Sequence, residues 1–169
     1  LPISDARARA AIAAGAPLVV AYPGVIYGPG LMTEGNILLR HILDLAKKKL
    51  PALLGSPDRV WNYAYVEDVA AGLANALERA APGSRYVLGG ENVRLGDFYA
   101  LVGEIANIPI PKRRFPDGLA KAMGAMIKAI ARLAGAVPSL TPDLVEIYRH
   151  DWAYDSRAAK RDLDYRPRS

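Results

Sequence analysis

Pro17-Leu18-Val19-Val20-Ala21-Tyr22 is an unbroken apolar run, and a loop rich in proline and glycine follows it, Pro23-Gly24-Val25-Ile26-Tyr27-Gly28-Pro29-Gly30. Such a run predicts a buried strand of a parallel sheet, because helices cover both faces of that kind of strand. The loop predicts a rigid turn whose backbone a ligand can approach closely. The carboxyl end of this strand is therefore our first candidate for a binding site.

Outward from this run, helical and strand patterns alternate along the chain. Apolar and β-branched residues predict further strands at 61–66 and 85–88. Helical spacing and terminal signals predict helices at 5–14, 36–49, 69–79, 95–106, 117–134 and 156–163, with Ser4 and Asp68 as N-caps and Thr141-Pro142-Asp143 as one more helix start. The strands are too far apart for hairpins, so we predict an α/β fold in which a sheet edge carries a smaller, mostly helical cap.

The composition is that of one globular domain or one lobe of a larger one. The chain has 169 residues, of which 51% are hydrophobic and 23% charged. Lys and Arg outnumber Asp and Glu by 22 to 17, and the net charge of +5 suits an anionic small molecule as well as nucleic acid. The lack of cysteine excludes disulfides and thiolate zinc sites, and it fits the cytoplasm or an organelle stroma or matrix.

Several kinds of site and partner are disfavoured. The two histidines are far apart in the sequence, so we predict no metal site. Residues 119–137 are the longest apolar stretch, but Lys121, Lys128 and Arg132 argue against a membrane-spanning helix. No nucleic-acid-binding motif accompanies the basic residues, so we expect no nucleic-acid partner. The sequence starts without Met or a signal peptide, and we expect it to enter a longer protein part-way.

Other polar residues have both a functional and a structural interpretation. Residues 28–33, Gly-Pro-Gly-Leu-Met-Thr, approach a dinucleotide-binding fingerprint, but Thr33 stands where a third glycine is needed, so a pyrophosphate site is disfavoured. His150 beside Asp151 has the pattern of an oriented base, yet no nucleophile motif accompanies the pair, and packing or surface exposure is favoured. The two tryptophans are expected to pack. Lys112-Arg113-Arg114 is either an anion-binding group or, as favoured, a solvated loop.

Four blocks, in this order, resemble a known enzyme family. They are Tyr22-Pro23-Gly24-Val25-Ile26-Tyr27-Gly28-Pro29-Gly30, Trp61-Asn62-Tyr63-Ala64-Tyr65-Val66-Glu67-Asp68-Val69-Ala70, Tyr86-Val87-Leu88-Gly89-Gly90-Glu91-Asn92, and the tail from His150 to Arg168. Together they are similar to the second half of extended short-chain dehydrogenases/reductases, above all to dihydroflavonol-4-reductase-like members of the NAD-dependent epimerase/dehydratase group. The resemblance covers nearly the whole chain.

This resemblance implies the C-terminal part of a doubly wound, Rossmann-type parallel sheet plus a small, mostly helical substrate-binding cap. Residues 1–35 and 60–80 would supply the last strands and helices of the sheet, and residues 36–59 and 81–169 mainly the cap. It also implies NAD or NADP as cofactor, shared between a missing N-terminal half and the cofactor-binding residues Pro23, Gly24, Val25 and Tyr27, with Val25 at the nicotinamide carboxamide.

The substrate implied by the resemblance is a small molecule with a carbonyl group or a sugar-like structure. Arg59 and Arg113 are candidates for binding it, on their charge alone. A homodimer is compatible with the family, whereas membrane association is disfavoured.

The family's catalytic pair is where this sequence departs from the resemblance. Members carry Tyr-x-x-x-Lys on the helix before the 17–22 strand, and counting back puts that pair at Leu1 and Asp5. Leucine cannot donate a proton, and an aspartate raises the pKa of a neighbouring phenol. We therefore assign no catalytic residue and expect the bare chain to be inactive. Three interpretations stay open: the substrate-binding portion of a reductase or epimerase, a non-catalytic nucleotide- or partner-binding protein of the same fold, and a truncated gene product.

Overall fold

The computed structural model describes residues 2–30, 37–47, 52–111, 113, 118, 122, 125–126 and 142–168. Its helices are α1 (Pro2–Ala13), α2 (Ile37–Ala46), α3 (Val66–Arg79), α4 (Leu95–Ala106), α5 (Pro142–Tyr148) and α6 (Arg157–Leu163). Its strands are β1 (Val20–Pro23), β2 (Val25–Tyr27), β3 (Val60–Tyr65), β4 (Arg85–Leu88) and β5 (Glu91–Arg94). Residues 118, 122, 125 and 126 are helical too, and most of the helix predicted at 117–134 lies outside the described residues.

The chain divides into two compact units. The first comprises Leu1–Leu38, Asn62–Asn92 and Ala153–Ser169, and the second comprises Leu39–Trp61 and Val93–Trp152. The strands β1 and β4 form one parallel pair, and a second sheet has the order β2-β3-β5 with β2 parallel to β3. The predicted α/β class is confirmed. The predicted division into sheet and cap stays a prediction. Residues 81–92 and 153–169, which were predicted to belong mainly to the cap, lie in the first unit together with β1.

The core of the first unit lies on one face of the β1–β4 pair. Val20 lies opposite Arg85, and Pro23 opposite Leu88. Side chains of β3, α3, β4 and α6 form one hydrophobic cluster with part of the C-terminal segment: Ala64, Val69, Ala76, Tyr86, Leu88, Ala159, Leu163 and Tyr165. Gly72 on α3 allows this packing, because a Cβ atom there would lie 2.8 Å from the Tyr165 ring.

Most element positions predicted from the sequence are confirmed. The strand β4 and the helix α4 have the predicted bounds, α5 begins at Pro142, and α6 covers the predicted closing helix. Gly15 ends α1 in a left-handed conformation, with φ 88°, that glycine adopts without steric cost. Its N–H donates to the Ile12 carbonyl at 2.9 Å, as expected at a helix end.

Several local predictions are wrong. The helix α1 begins at Pro2, so Ser4 lies inside it and does not cap it. Residues 23–30 are not one continuous turn, because Val25–Tyr27 forms β2 and pairs with β3. The strand β1 is half-buried along most of its length and not fully buried. The strand β5 was not predicted, because its sequence Glu-Asn-Val-Arg has one apolar residue and therefore no apolar alternation.

Asp68 was expected to cap α3, and the structure gives it another role. The helix begins at Val66, so Asp68 lies within the first turn. Its buried carboxylate accepts hydrogen bonds from the Arg168 backbone N–H at 2.8 Å and from Arg168 Nε at 2.9 Å. The Arg168 guanidinium also lies over the Tyr65 ring, 4.2 Å from its centroid. Asp68 therefore anchors the C-terminal segment to the start of α3.

Aromatic side chains organise the second unit. Trp61 is buried, its ring centroid lies 4.6 Å from that of Tyr148, and its Nε1 donates to the His150 carbonyl at 3.2 Å. The half-buried Trp152 donates from Nε1 to the Ile147 carbonyl at 2.8 Å. Both tryptophans therefore pack within the unit, as expected.

Neither membrane-spanning helices nor metal sites are found among the described residues. No helix among these residues is long and apolar enough to cross a bilayer. No group of three or more His, Asp or Glu side chains in the same part of the chain has the arrangement of a metal site. The apolar stretch 119–137, judged above from its sequence, lies largely outside the described residues.

Candidate functional site

The carboxyl ends of β1 and β4 lie side by side. Because the two strands are parallel, Pro23 and Leu88 are opposite each other at the same end of the pair. The Gly24 N–H donates to the Leu88 carbonyl at 3.2 Å, so the loop after β1 continues the ladder by one residue. Open α/β sheets bind ligands outside the carboxyl ends of their strands. The predicted cofactor-binding residues 23–27 begin at this position.

Asn62 fills the space between the two loops with a fully buried side chain. Its Oδ1 accepts from the Gly90 N–H at 3.0 Å, and its Nδ2 donates to the Gly90 carbonyl at 3.1 Å and to Asn92 Oδ1 at 2.8 Å. A Cβ atom on Gly24 would lie 2.3 Å from Asn62 Oδ1, and one on Gly89 would lie 2.5 Å from it. Packing against Asn62 therefore requires glycine at position 24, and a ligand must approach the loop from another side. The sequence analysis missed Asn62, whose signal was an amide in the middle of a strand.

Ser156 fixes the loop after β4. Its buried hydroxyl donates to the Gly89 carbonyl and accepts from the Gly89 N–H, both at 3.0 Å. Beside it, Asn92 Nδ2 donates to the Tyr154 carbonyl at 3.0 Å, and its Oδ1 accepts from the Tyr154 N–H at 3.1 Å. The segment before α6 thus holds the backbone of this loop in place. Ser156 had been interpreted only as a helix start.

Tyr27 presents a fixed but accessible aromatic ring. It is 36% exposed, and its ring meets that of Tyr65 edge-on, with centroids 5.4 Å apart. Tyr65 is itself held by Arg168 on its face. Pro23 is exposed, whereas Val25 is half-buried and lies opposite Tyr63 in the β2–β3 pair. Of the four predicted cofactor-binding residues, Tyr27 and Pro23 are therefore the most accessible.

Asp5 stands where the resemblance places the catalytic lysine, and two donors occupy its carboxylate. The Tyr22 hydroxyl donates to Oδ1 at 2.5 Å, and Arg9 Nε donates to Oδ2 at 2.7 Å. The hydrogen bond from Tyr22 is the main cause of the lowered pKa of Asp5. The same bond raises the pKa of Tyr22. A phenol bound in this way stays protonated, so Tyr22 is unsuited to act as a general base.

Arg59 and Arg113, the predicted substrate-binding residues, lie in the second unit. Arg59 donates to Asp151 Oδ2 at 2.9 Å, and the Val60 N–H donates to Asp151 Oδ1 at 2.8 Å. The hydrogen bond from Val60 and then that from Arg59 lower the pKa of Asp151. Arg113 is exposed, and its carbonyl accepts from the Leu53 N–H at 3.0 Å. Arg59 lines a cavity of about 350 Å³ with Ser56, Arg149, His150 and Asp151. The roles of both arginines stay predictions.

His150 binds a different carboxylate from the one beside it in the sequence. Its Nε2 lies 3.0 Å from Glu146 Oε1, one helical turn away, and its side chain is 59% exposed. Asp151 is engaged with Arg59. His150 therefore contacts Glu146 and not Asp151, and its exposure agrees with the favoured surface interpretation.

Comparison with known proteins relates the chain to a family. No family model matches it. Over 167 residues it is 28% identical to a Synechocystis sp. protein named "Putative dihydroflavonol 4-reductase", and the match covers 95% of this chain and 47% of that protein. The crystal structure of gox2253 matches with a TM-score of 0.70 at 29% identity, over 97% of this chain and 49% of that one. The chain is related to the extended short-chain dehydrogenases/reductases.

The predicted Rossmann-type fold is confirmed by the same comparisons. The chain spans about half the length of the curated relative that it matches. The UDP-glucuronic acid 4-epimerase of Bacillus cereus, solved in complex with UDP-glucuronic acid and NAD, has a TM-score of 0.61 at 20% identity, over 90% of this chain and 41% of that one. At that identity, the likeness shows the fold alone.

Residues 23–28 fit one part of a nicotinamide cofactor better than another. The accessible Tyr27 ring and the loop backbone at the strand ends suit the flat nicotinamide. By contrast, the space beside Gly28 is filled by protein atoms, because a Cβ atom on this residue would lie 2.5 Å from Val66 Cγ1. Gly28 therefore does not form an open cradle for a pyrophosphate. The described loop therefore suits the nicotinamide end of the cofactor, and the pyrophosphate needs other residues.

Proposed function

We propose that this chain is the substrate-side portion of a nicotinamide-dependent reductase or epimerase, and that it completes a cofactor site together with residues outside it. The observation that carries the proposal is the segment 23–27, which runs from the end of β1 through Gly24 into β2 and begins at the carboxyl ends of two parallel strands, with Asn62 packed against Gly24. The match to about half of the curated relative supports the second part of the proposal.

Each residue of the loop would have a distinct task. The bound nicotinamide supplies or accepts the hydride. The Val25 backbone would contact the carboxamide, and the Tyr27 ring, held against Tyr65, would flank the ring and exclude water from one side. Pro23 and Gly24 would keep the backbone in one conformation, because Gly24 is bonded to Leu88 and packed on Asn62.

We also propose that the bare chain does not turn over substrate, because neither position of the family's proton-transfer pair holds a suitable residue. Leu1 occupies the position that the family resemblance gives to the acid/base tyrosine. Asp5 replaces the lysine and is bound to Tyr22 and Arg9. The Tyr22–Asp5 bond also favours a second candidate, a protein of this fold that binds its ligands without chemistry.

For the substrate, we propose a sugar nucleotide as the first candidate class. The B. cereus epimerase of the same fold is complexed with UDP-glucuronic acid, and a diphosphate suits the positively charged side chains of Arg59 and Arg113. Arg59 would have to exchange Asp151 for the substrate phosphate. The name of the Synechocystis relative favours a dihydroflavonol as the alternative.

A fusion protein tests this proposal. The portion of the Synechocystis relative that this chain does not match is joined to the 169 residues, and binding of UDP-glucuronic acid and of a dihydroflavonol is measured by calorimetry in the presence of NADH. We expect UDP-glucuronic acid to bind, with affinity falling about tenfold in Arg59→Gln and in Arg113→Gln. Arg94→Gln, an exposed arginine of the second unit, is the control and should leave the affinity unchanged.

The outcomes separate the candidates. Binding of the dihydroflavonol alone would overturn the sugar-nucleotide class and support the carbonyl substrate. Reduction of the dihydroflavonol carbonyl, with oxidation of NADH, by a fusion whose joined portion ends before the position of Leu1 would contradict the lack of a proton-transfer residue in this chain. UDP-glucuronic acid has no ketone for NADH to reduce, so only its binding is measured. Binding of neither substrate by a folded fusion would contradict a substrate-side role.

A further inference from the structure

A cavity of about 770 Å³ lies in the first unit, apart from the predicted cofactor-binding residues. It is lined by Asp5, Arg9, Tyr22, Gly83, Arg85, Tyr86 and Val87, which come from α1, β1, β4 and the turn before β4. This volume lies in the range of small-molecule sites. None of the residues 23–27 contributes to its lining.

The cavity has a net positive charge. Two arginines and one aspartate line it, which gives 2 − 1 = +1. The negative charge is already compensated inside the site, because both Asp5 oxygens accept hydrogen bonds, one from the Tyr22 hydroxyl and one from Arg9 Nε. Arg9 uses Nε for this bond, so its two terminal nitrogens are not part of it. Because Arg9 offsets the charge of Asp5, the guanidinium of Arg85 is the unbalanced charge of the lining.

The guanidinium of Arg85 lies next to the Tyr22 hydroxyl. Arg85 interacts with the Tyr22 hydroxyl and opposes the rise of its pKa that Asp5 causes. On β4, Arg85 and Val87 alternate with the buried Tyr86 and Leu88, so they occupy the face opposite the hydrophobic core. A ligand on this face would meet a guanidinium at Arg85 and an apolar surface at Val87 and the Tyr22 ring.

We propose that this cavity binds a small organic anion, whose carboxylate or phosphate group is bound by Arg9 and Arg85 and whose apolar body lies against Tyr22 and Val87. A guanidinium donates two parallel hydrogen bonds to either kind of anion, which is why two arginines in one cavity select for it. The Asp5 carboxylate is already bound by the Tyr22 hydroxyl and by Arg9, and the charge of Arg9 offsets its repulsion of an anionic ligand.

Calorimetry on the 169-residue chain tests the proposal with three probes of similar size: phenyl phosphate, benzoate and benzylamine. We expect at least one of the two anions to bind and the cation not to bind. Arg9→Gln and Arg85→Gln should each lower the affinity for the anion about tenfold. Arg157→Gln is the matched control, because Arg157 is also paired with a nearby carboxylate, that of Asp155, but does not line the cavity.

A second measurement covers the case in which a variant fails to fold. Arginine Nε–H signals of the unmodified chain are followed by NMR during addition of phenyl phosphate, and those of Arg9 and Arg85 should move while that of Arg157 stays. Binding of phenyl phosphate alone supports a phosphate ligand, and binding of benzoate alone supports a carboxylate. Binding of neither anion, equal binding of benzylamine, or an equal loss in Arg157→Gln would overturn the proposal.

Discussion

Asn62 shows how one buried side chain can hold two loops at a binding edge. Replacing it with alanine leaves the Gly90 N–H and carbonyl without the partners that Asn62 supplies in a buried site. We expect Asn62→Ala to lower the free energy of unfolding by about 2–4 kcal/mol, measured by urea denaturation. Asn75→Ala is the control, since it removes a single hydrogen bond, to the Leu163 carbonyl, and should cost about 1 kcal/mol. Equal losses in the two variants would contradict this role of Asn62.

Tyr165 and Tyr86 both lie in the hydrophobic cluster of the first unit, but their hydroxyl groups differ in their hydrogen-bond partners. The buried Tyr165 hydroxyl has no hydrogen-bond partner among the described residues, and burial raises the pKa of Tyr165 to about 12, with the charge of Asp68 as a smaller cause. Tyr165→Phe should therefore raise the free energy of unfolding by about 1 kcal/mol. The pKa of Asp162 is lowered mainly by the hydrogen bond from Arg161 and to a smaller extent by one from the Tyr86 hydroxyl. Tyr86→Phe removes that smaller contribution and should lower the free energy of unfolding. Thermal or urea unfolding of both variants checks the opposite signs.

The bond between Asp5 and Tyr22 predicts a bell-shaped pH dependence. Folding lowers the pKa of Asp5, so the stability it contributes is present above its unfolded pKa of about 3.9 and is lost as the pH falls through its folded pKa. Folding raises the pKa of Tyr22, so that contribution is present below about 10 and is lost as the pH rises through the folded pKa. The stability difference between the unmodified chain and Asp5→Asn should therefore be largest between these limits.

The control for this pH dependence is Asp155→Asn. Asp155 also has a lowered pKa, caused by the backbone N–H and then by the side chain of Arg157, with no tyrosine involved. Its stability difference should fall at low pH but persist above pH ~10, where arginine remains charged. A difference for Asp5→Asn that also persists at high pH would show that the Tyr22 hydrogen bond contributes nothing.

At the scale of the elements, patterns with strong periodicity were predicted well and short polar ones were not. The helix α4 and the strand β4 were found with their bounds, because one has helical apolar spacing and the other ends at two glycines. The strands β2 and β5 were missed, since Val25–Tyr27 follows a glycine within a proline-rich loop and Glu91–Arg94 is mostly polar. Both segments are strands because they pair with other strands, and such pairing cannot be predicted from a local sequence pattern.

The start of α3 shows a second limit of local signals. Asp68 has the residue type of an N-cap, but the helix begins two residues before it, and its carboxylate binds Arg168, one hundred positions along the chain. A contact over that separation has no local signature. The same holds for Asn62 and Ser156, whose partners are backbone groups of a distant loop.

The ion pair between Asp68 and Arg168, which anchors the C-terminal segment to α3, can be tested by substitution. Arg168→Gln removes the charged partner of a buried carboxylate and should lower the free energy of unfolding by about 1–3 kcal/mol. Arg166→Gln removes an exposed pair with Asp164 and should cost no more than about 0.5 kcal/mol. Urea denaturation compares the two variants, and hydrogen exchange should show faster opening of residues 164–168 in Arg168→Gln alone. Similar losses in both would contradict the anchoring role of Asp68.

For the whole molecule, the family could be predicted from four motif blocks in the right order, whereas the site could be predicted only in part. The loop 23–27 was placed correctly at the carboxyl end of a parallel strand. The reason for the glycines at 24 and 28 was not predicted, because it lies in close packing against Asn62 and Val66, which follow much later in the sequence. The chain's match to about half of its curated relative leads to the central claim, that the cofactor site needs residues from elsewhere.

The most direct test of that claim is a titration of the purified 169-residue chain with NADH, followed by nicotinamide fluorescence, beside the same titration of the fusion with the unmatched portion of the Synechocystis relative. We predict no saturable fluorescence change for the bare chain and saturable binding by the fusion. Saturable binding of NADH by the bare chain, with an affinity equal to that of the fusion, would contradict the claim and identify the chain as a self-sufficient nucleotide-binding protein.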